Sequence, residues 1–193
     1  MLASFDLPTF PVLKTERLLL RALTPRDAAA VFAIRGDPEV ARHNIGAPYI
    51  DLMEARRMIS AARRQFRAQT EIHWGLALRD APQSLIGLCC FNVLDPIDRR
   101  GSLGYDLNRA FWGHGLMREA VRAVIDFGFE QLDLHRIEAE IGAPNERSYR
   151  LLRALDFQQE GLQKDRYFEY GAFHDLALFG LLRPDWAQAR SSG

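Results

Sequence analysis

A chain of 193 residues with 48% apolar and 26% charged side chains reads as one globular domain, residues 1–193, long enough to bury a core without staples. Its 25 basic and 25 acidic residues leave a formal charge of zero, which removes the electrostatic footprint of a nucleic-acid binder. No apolar run reaches membrane-spanning length, and the two cysteines, Cys89 and Cys90, are neighbours that a strand points to opposite faces, so a cytoplasmic protein with no membrane partner and no disulfide is expected.

The first segment, 1–13, carries Asp6, Pro8 and Pro11 and reads as flexible rather than as a targeting sequence. Glu16 to Leu23 reads as a strand. Thr24-Pro25-Arg26-Asp27 then has the chemistry of a helix start, with Thr24 as N-cap and Pro25 at the first position; that helix runs to about Arg35 and stops at Gly36. Asp37-Pro38-Glu39 starts a short turn. Asp51 and Glu54 open a longer helix through about Gln69. It carries Arg56, Arg57, Arg63, Arg64 and Arg67, a solvated face or, functionally, a contact for a negatively charged substrate.

Strand-like runs follow at Glu71 to Leu78 and Leu85 to Leu94, joined by the hairpin-type loop Asp80 to Ser84. A third, Gly101 to Asn108, comes after the turn Asp95 to Asp98. The helix after Gly115 lines up Leu116, Ala120, Ala123, Val124 and Phe127 on one face. His135 to Ile141 reads as a strand, Asn145 to Leu155 as a helix, Asp175 to Leu182 as a last strand, and 187–193 as a disordered tail. The order is that of an α+β protein with a mixed sheet and one βαβ crossover. The apolar run Phe173 to Leu182 suits either the edge of a homodimer or an internal sheet position.

The stretch Trp112-Gly113-His114-Gly115-Leu116-Met117 lies between a strand and a helix. Two glycines let successive backbone N–H groups point outward, and the helix behind adds unpaired N–H groups and the positive end of its dipole. Such a turn can cradle a phosphate or diphosphate; it can also be a tight connection with no ligand. A dinucleotide fold is disfavoured because there is no full G-x-G-x-x-G, and a P-loop is excluded for want of its lysine. Arg118 and Arg122 follow closely and suit either a phosphate or solvent. Asn145 fits an N-cap, with Ser148 at the third helical position.

In order along the chain, Thr15 to Arg21, Thr24 to Asp27, Leu85-Ile86-Gly87, Gly104-Tyr105-x-Leu107 with Phe111 to Gly115, Asn145-x-x-Ser148 with Leu151, Leu152 and Phe157, and Gly171 to Asp175 resemble blocks of the GNAT-fold N-acetyltransferases, RimJ/RimL-like branch. The resemblance implies a three-layer αβα arrangement whose mixed, mostly antiparallel sheet splays between two parallel strands. It implies acetyl-CoA as the cofactor and CoA as product. It places the CoA diphosphate on the backbone of Trp112, Gly113, His114, Gly115, Leu116 and Met117, with Arg118 beside it. The pantetheine arm would then lie near Leu107 and Asn145, and Ser148 near the thiol. No metal is expected.

Two departures matter. The tyrosine acid common in this family falls at Leu152, leaving Ser148 as the candidate donor to the departing thiolate. Met117 stands where the turn usually has a small residue and is expected to crowd the diphosphate. No general base stands out among Glu71, His73, Glu138, Glu140, Asp106, His43 and His114. The expected reaction is transfer of an acetyl group to a primary amine by direct attack, the favoured acceptor being a protein N-terminus. The alternatives are a small-molecule amine such as an amino acid, polyamine or aminoglycoside, or a catalytically weak CoA- or peptide-binding module.

Overall fold

The computed structural model describes residues 5–142 and 145–191. Its strands are β1 (Leu13–Lys14), β2 (Leu18–Ala22), β3 (Ile72–Leu78), β4 (Leu85–Asp95), β5 (Arg100–Leu107), β6 (Arg136–Gly142), β7 (Gln158–Glu169) and β8 (Ala172–Leu182). They form one sheet in the order β1-β2-β3-β4-β5-β6-β8-β7. Every neighbouring pair is antiparallel except β5–β6.

Among the described residues six α-helices surround the sheet: α1 (Ala28–Arg35), α2 (Pro38–Ala41), α3 (Leu52–Arg67), α4 (Leu116–Glu130), α5 (Glu146–Arg153) and α6 (Arg183–Ser191). One core lies between the sheet and α4, around Trp74, Phe91, Val121, Val124 and Phe129. The other lies under α1 and α3, around Val31, Ile34, Ile59 and Leu88. The layers are those that the resemblance implies.

Local chemistry fixes the helix starts. Glu54 N donates to Asp51 Oδ1 at 2.9 Å while Glu54 reaches back to the Asp51 N–H, the capping box read from the sequence. After Thr24 the outcome is tighter: Pro25–Asp27 form a 3-10 turn before α1 begins. The Asp27 carboxylate pulls the chain in by accepting from Thr24 N at 2.7 Å and from two nitrogens of Arg21 at 2.7 and 2.9 Å.

Three expectations need correction. The segment read as flexible is packed over residues 5–13: Phe5 is buried, Phe10 stacks 5.0 Å from Phe66, and Trp74 Nε1 donates to the Pro11 carbonyl at 2.7 Å. Residues 1–4 lie outside the described residues. The tail read as disordered from 187 is helical through Ser191, because Trp186 packs 5.0 Å from Phe129 and donates to Asp126 while Arg190 bridges Asp126; 192–193 lie outside the described residues. Strand β7 was not expected at all. It is almost wholly exposed, so it lacks the apolar alternation that marks a half-buried strand. It forms the sheet edge, which gives β8, with Phe173 to Leu182, the internal position.

The feature that positions the site is the parallel pair. β5 and β6 are bonded only over Arg100–Leu103 against Arg136–Ala139. Beyond them Gly104 to Leu107 stay with β4, and Glu140 to Gly142 stay with β8. The two strands therefore part and leave a wedge open in the middle of the sheet.

Candidate active site

The wedge opens into a cleft of about 490 Å³ whose lining includes Arg35, His43, Asn44, His73, Gly104, Asp106, Glu140, Asn145 and Ser148. On its β5 wall the Asn108 N–H bonds to the Ile86 carbonyl on β4. Strand alternation then turns the backbone groups of Tyr105 and Leu107 towards the wedge. The Leu107 carbonyl is taken by Trp112 Nε1 at 2.8 Å, so its N–H is the group this residue offers.

The glycine turn stands at the mouth of the wedge. Gly113 and Gly115 have φ of +81° and +73°, a left-handed conformation that side chains disfavour, and a Cβ on Gly113 would meet nothing within 4 Å. The first bond of α4 runs from Glu119 N to the Gly115 carbonyl at 3.1 Å, so the N–H groups of Leu116, Met117 and Arg118 have no helical acceptor. Leu116 and Met117 bury their side chains in the core. Met117 therefore does not crowd the turn, as the sequence had suggested; the helix rotation sends its side chain inward. The Trp112 N–H is bonded to the Arg109 carbonyl, which removes it from the cradle. Its ring instead braces the turn, with the Arg147 guanidinium 4.2 Å from its centroid and His43 edge-on at 6.1 Å. His114 is exposed, and so are Arg118 and Arg122.

Arg17 was missed as a site residue. Its Nε lies 2.6 Å from Glu119 in the first turn of α4, and its Nη1 donates to the His114 carbonyl at 3.0 Å. One side chain thus ties β2, α4 and the glycine turn together across about a hundred residues of sequence. Burial alone would push Glu119 up, but the bonds from Thr15 and Arg17 hold it below the usual carboxylate range.

Asn145 caps α5, its Oδ1 accepting from Ser148 N at 3.1 Å, while its Nδ2 donates to the His43 carbonyl at 2.7 Å. Both ends of the amide are engaged within the protein. Asn145 therefore uses one amide N–H to join α5 to the loop after α2, and its second N–H has no partner among the described residues. Ser148 faces the cleft beside Tyr105. The Tyr105 hydroxyl approaches Ser148 without reaching hydrogen-bond geometry and is a buried oxygen with no partner; burial pushes its pKa up, so it stays protonated. Leu152, at the family's tyrosine position, is fully buried.

The other half of the cleft is polar. Asp106, buried, accepts from Arg35 Nε and Nη2 at 2.9 and 2.8 Å and from Asn44 Nδ2. This carboxylate ties β5 to α1 and to the loop after α2. Glu71, just before β3, and His73 on it are bonded at 2.6 Å, and Gln65 of α3 holds the other Glu71 oxygen at 2.6 Å. Burial lowers the His73 pKa against the pull of Glu71, so the ring is neutral at pH 7. Burial, with the Arg42 and Arg147 charges, lowers His43 as well, and its Nδ1 is buried without a partner. Glu138 is held by Arg100 and Arg136, whereas Glu140 faces the cleft. Burial pushes both cysteine thiols up, Cys90 to about 12, so neither is a poised nucleophile.

Outward N–H groups at a helix start, an adjoining wedge with open strand backbone, and an unpartnered hydroxyl beside Ser148 fit a diphosphate joined to a long amide-bearing arm. No helix among the described residues is long and apolar enough to cross a membrane.

A family model described as an acetyltransferase (GNAT) domain matches residues 17–158. The uncharacterized N-acetyltransferase p20 of Bacillus licheniformis is 37% identical over 91% of this chain and 98% of its own length. The ribosomal protein uS5-alanine N-acetyltransferase of Escherichia coli is 36% identical over 56% of each chain. Among solved structures, the spermidine N-acetyltransferase from Vibrio cholerae, in complex with CoA and spermine, superposes with a TM-score of 0.80 at 20% identity, over 90% of this chain and 99% of that one.

Proposed function

Since this chain belongs to the GNAT acetyltransferases, in their RimJ/RimL-like branch, and is an acetyl-CoA-dependent N-acetyltransferase, we propose that its acceptor is the α-amino group of a polypeptide N-terminus, acetylated by direct attack. The observation that carries this reading is the form of the cleft. The cleft runs across the sheet, and His73 at its end also lines a second cavity, an arrangement suited to an extended chain rather than to a small amine held on all sides. The E. coli relative, named as acting on a ribosomal protein's alanine, points the same way.

Acetyl-CoA, when bound, supplies the thioester carbonyl that the amine attacks and the thiolate that leaves. The N–H groups from Gly113 to Arg118 would hold the diphosphate, with Arg118 and Arg122 free to add charge-assisted bonds. The Leu107 N–H would polarise the carbonyl. Ser148 would donate to the departing sulfur, with the protonated Tyr105 hydroxyl close by as a second candidate donor. A serine hydroxyl is too weak an acid for full proton transfer, so its contribution is a hydrogen bond that strengthens as charge develops. Ser148→Ala should therefore lower kcat by about tenfold, in line with one lost hydrogen bond to a charged group, with acetyl-CoA affinity nearly unchanged. Equal losses in both would make Ser148 a binding residue only.

The amine proton has a route along the cleft floor. His73 lies two strands from the wedge, so it would receive the proton through water and share it with Glu71. An α-amino group titrates at about 7.7–8.0, and His73 titrates below its ordinary value, so the amine sets the pH dependence. kcat/KM should rise with pH through a midpoint of about 8 and level about one unit above it, and His73→Gln should lower the plateau by about tenfold or more without moving the midpoint. A midpoint below histidine's ordinary range that vanishes in the variant would show that histidine, not the amine, is limiting. Initial rates with free-amine peptides, amino acids, polyamines and aminoglycosides test the acceptor class. Peptide turnover is expected; turnover confined to polyamines or aminoglycosides would overturn it.

A further inference from the structure

Beside the cleft lies space that the acetyl transfer itself does not use. His73 lines both the cleft and a further cavity of about 500 Å³. The walls of this second cavity include Phe10, Leu23, Ala62 and Phe66, and Arg63 and Arg67 stand at its rim. Both arginines are exposed, and neither has a hydrogen-bond or ion-pair partner among the described residues. A shallower groove of about 290 Å³ continues along Arg56, Arg63, Arg64 and Arg67.

Helix α3 carries five arginines against a single acid, Glu54, whose carboxylate is engaged by the Ile50 and Asp51 N–H groups. By contrast, the arginines that shape the site, Arg17, Arg21 and Arg35, each hold a carboxylate. Along the row from β5 to β3 the acids are also satisfied, Asp106 by Arg35 and Asn44, and Glu71 by His73 and Gln65, whereas Glu140 lines the cleft on the β6 side. Between β5 and β3 the acids are therefore paired, and beyond His73 an apolar recess is bordered by the unpaired guanidinium groups of Arg63 and Arg67.

The register sets the spacing. Cys90 of β4 lies opposite both Gly104 of β5 and His73 of β3, so the three form one row from the wedge towards the recess. Two strand spacings make this row about 10 Å, which three residues of extended chain cover. Small side chains at Gly104 and Cys90 keep the row open.

We infer that the acceptor is an acidic N-terminal segment. Its amine lies at the wedge, its first residues cross the row Gly104–Cys90–His73, an apolar side chain near the fourth position enters the recess, and carboxylates from about the fifth position meet Arg63 and Arg67. The guanidinium fork matches a carboxylate in two-point contact, which suits arginine rather than lysine at this rim. The inference rests on the peptide reading of the cleft.

The test uses seven-residue peptides with free N-termini and identical first three residues, with leucine at the fourth position and three glutamates, three serines or three lysines after it. Their kcat/KM values are each divided by that of the shared tripeptide, which is too short to reach the rim. In the wild type the acidic peptide should exceed the basic one by about tenfold, and added salt should shrink the gap. In the double variant Arg63→Glu, Arg67→Glu the order should reverse, with the melting temperature as the control for folding. Equal ratios for the three peptides, or an order unmoved by charge reversal, would overturn the inference while leaving peptide acetylation standing. Turnover of small amines with none of any peptide would overturn both.

Discussion

A glutamate in place of Gly115 is expected to raise the acetyl-CoA dissociation constant at least about a hundredfold. Gly115 sits at φ +73° as the residue before α4, with the unbonded N–H groups of that helix directly after it. A side chain there is strained by about 1–2 kcal/mol and projects beside the cradle. Its carboxylate would repel a diphosphate where the helix dipole otherwise attracts one. Losing or opposing even two charge-assisted bonds, each worth roughly 1.5–3 kcal/mol, accounts for the factor. The Arg17 guanidinium, 3.7 Å from where the new Cβ would lie, gives the glutamate an internal partner and should keep the turn folded. Calorimetry with acetyl-CoA measures the effect, and unchanged affinity would mean that the turn holds no phosphate.

Asp106→Ala should be the most damaging single change on the acceptor side. Asp106 has a 5% exposed side chain and pairs with Arg35, whose own side chain is 32% exposed. Removing the carboxylate strands the guanidinium and frees Asn44. Breaking a buried pair in this way costs about 3 kcal/mol, at the low end of the usual range because Arg35 keeps some water. For a chain of this size that lowers the melting temperature by about 6–12 °C. The loop after α2 would also lose its anchor to β5, so KM for the acceptor should rise several-fold, while the backbone groups of Leu107 and of the glycine turn proposed for acetyl-CoA are untouched and its affinity should hold. Thermal melts and steady-state rates at saturating acetyl-CoA check both parts. A melt within 2 °C of wild type, or a rise in acetyl-CoA dissociation equal to that in acceptor KM, would contradict this account.

Where local chemistry decides the structure, the sequence was a good guide. The capping box of Asp51 and Glu54, the Asn145 cap and the glycine turn each depend on residues within four positions of one another, and each forms as read. Strand β7 was illegible because an exposed edge strand has no reason to alternate. Helix α6 was illegible because its order comes from a tryptophan packed on α4 rather than from its own composition. In the cleft the same division holds. Gly113, Gly115 and Ser148 could be picked out from their spacing. Arg17 on Glu119, Arg35 and Asn44 on Asp106, and Tyr105 behind Ser148 could not, since each joins elements far apart in the chain. The sequence marked Asn145 and Met117, but only the fold shows that one also ties α5 to the His43 carbonyl and the other is turned inward.

The most direct test is calorimetric titration of the wild-type protein with acetyl-CoA, followed in the same samples by CoA thiol release on adding a free-amine peptide. Saturable one-site binding with release that depends on the amine, and disappears when its N-terminus is blocked, is the predicted result. Absence of binding, or binding with release that is indifferent to the amine, would contradict the assignment of the glycine turn and the wedge as an acetyl-transfer site.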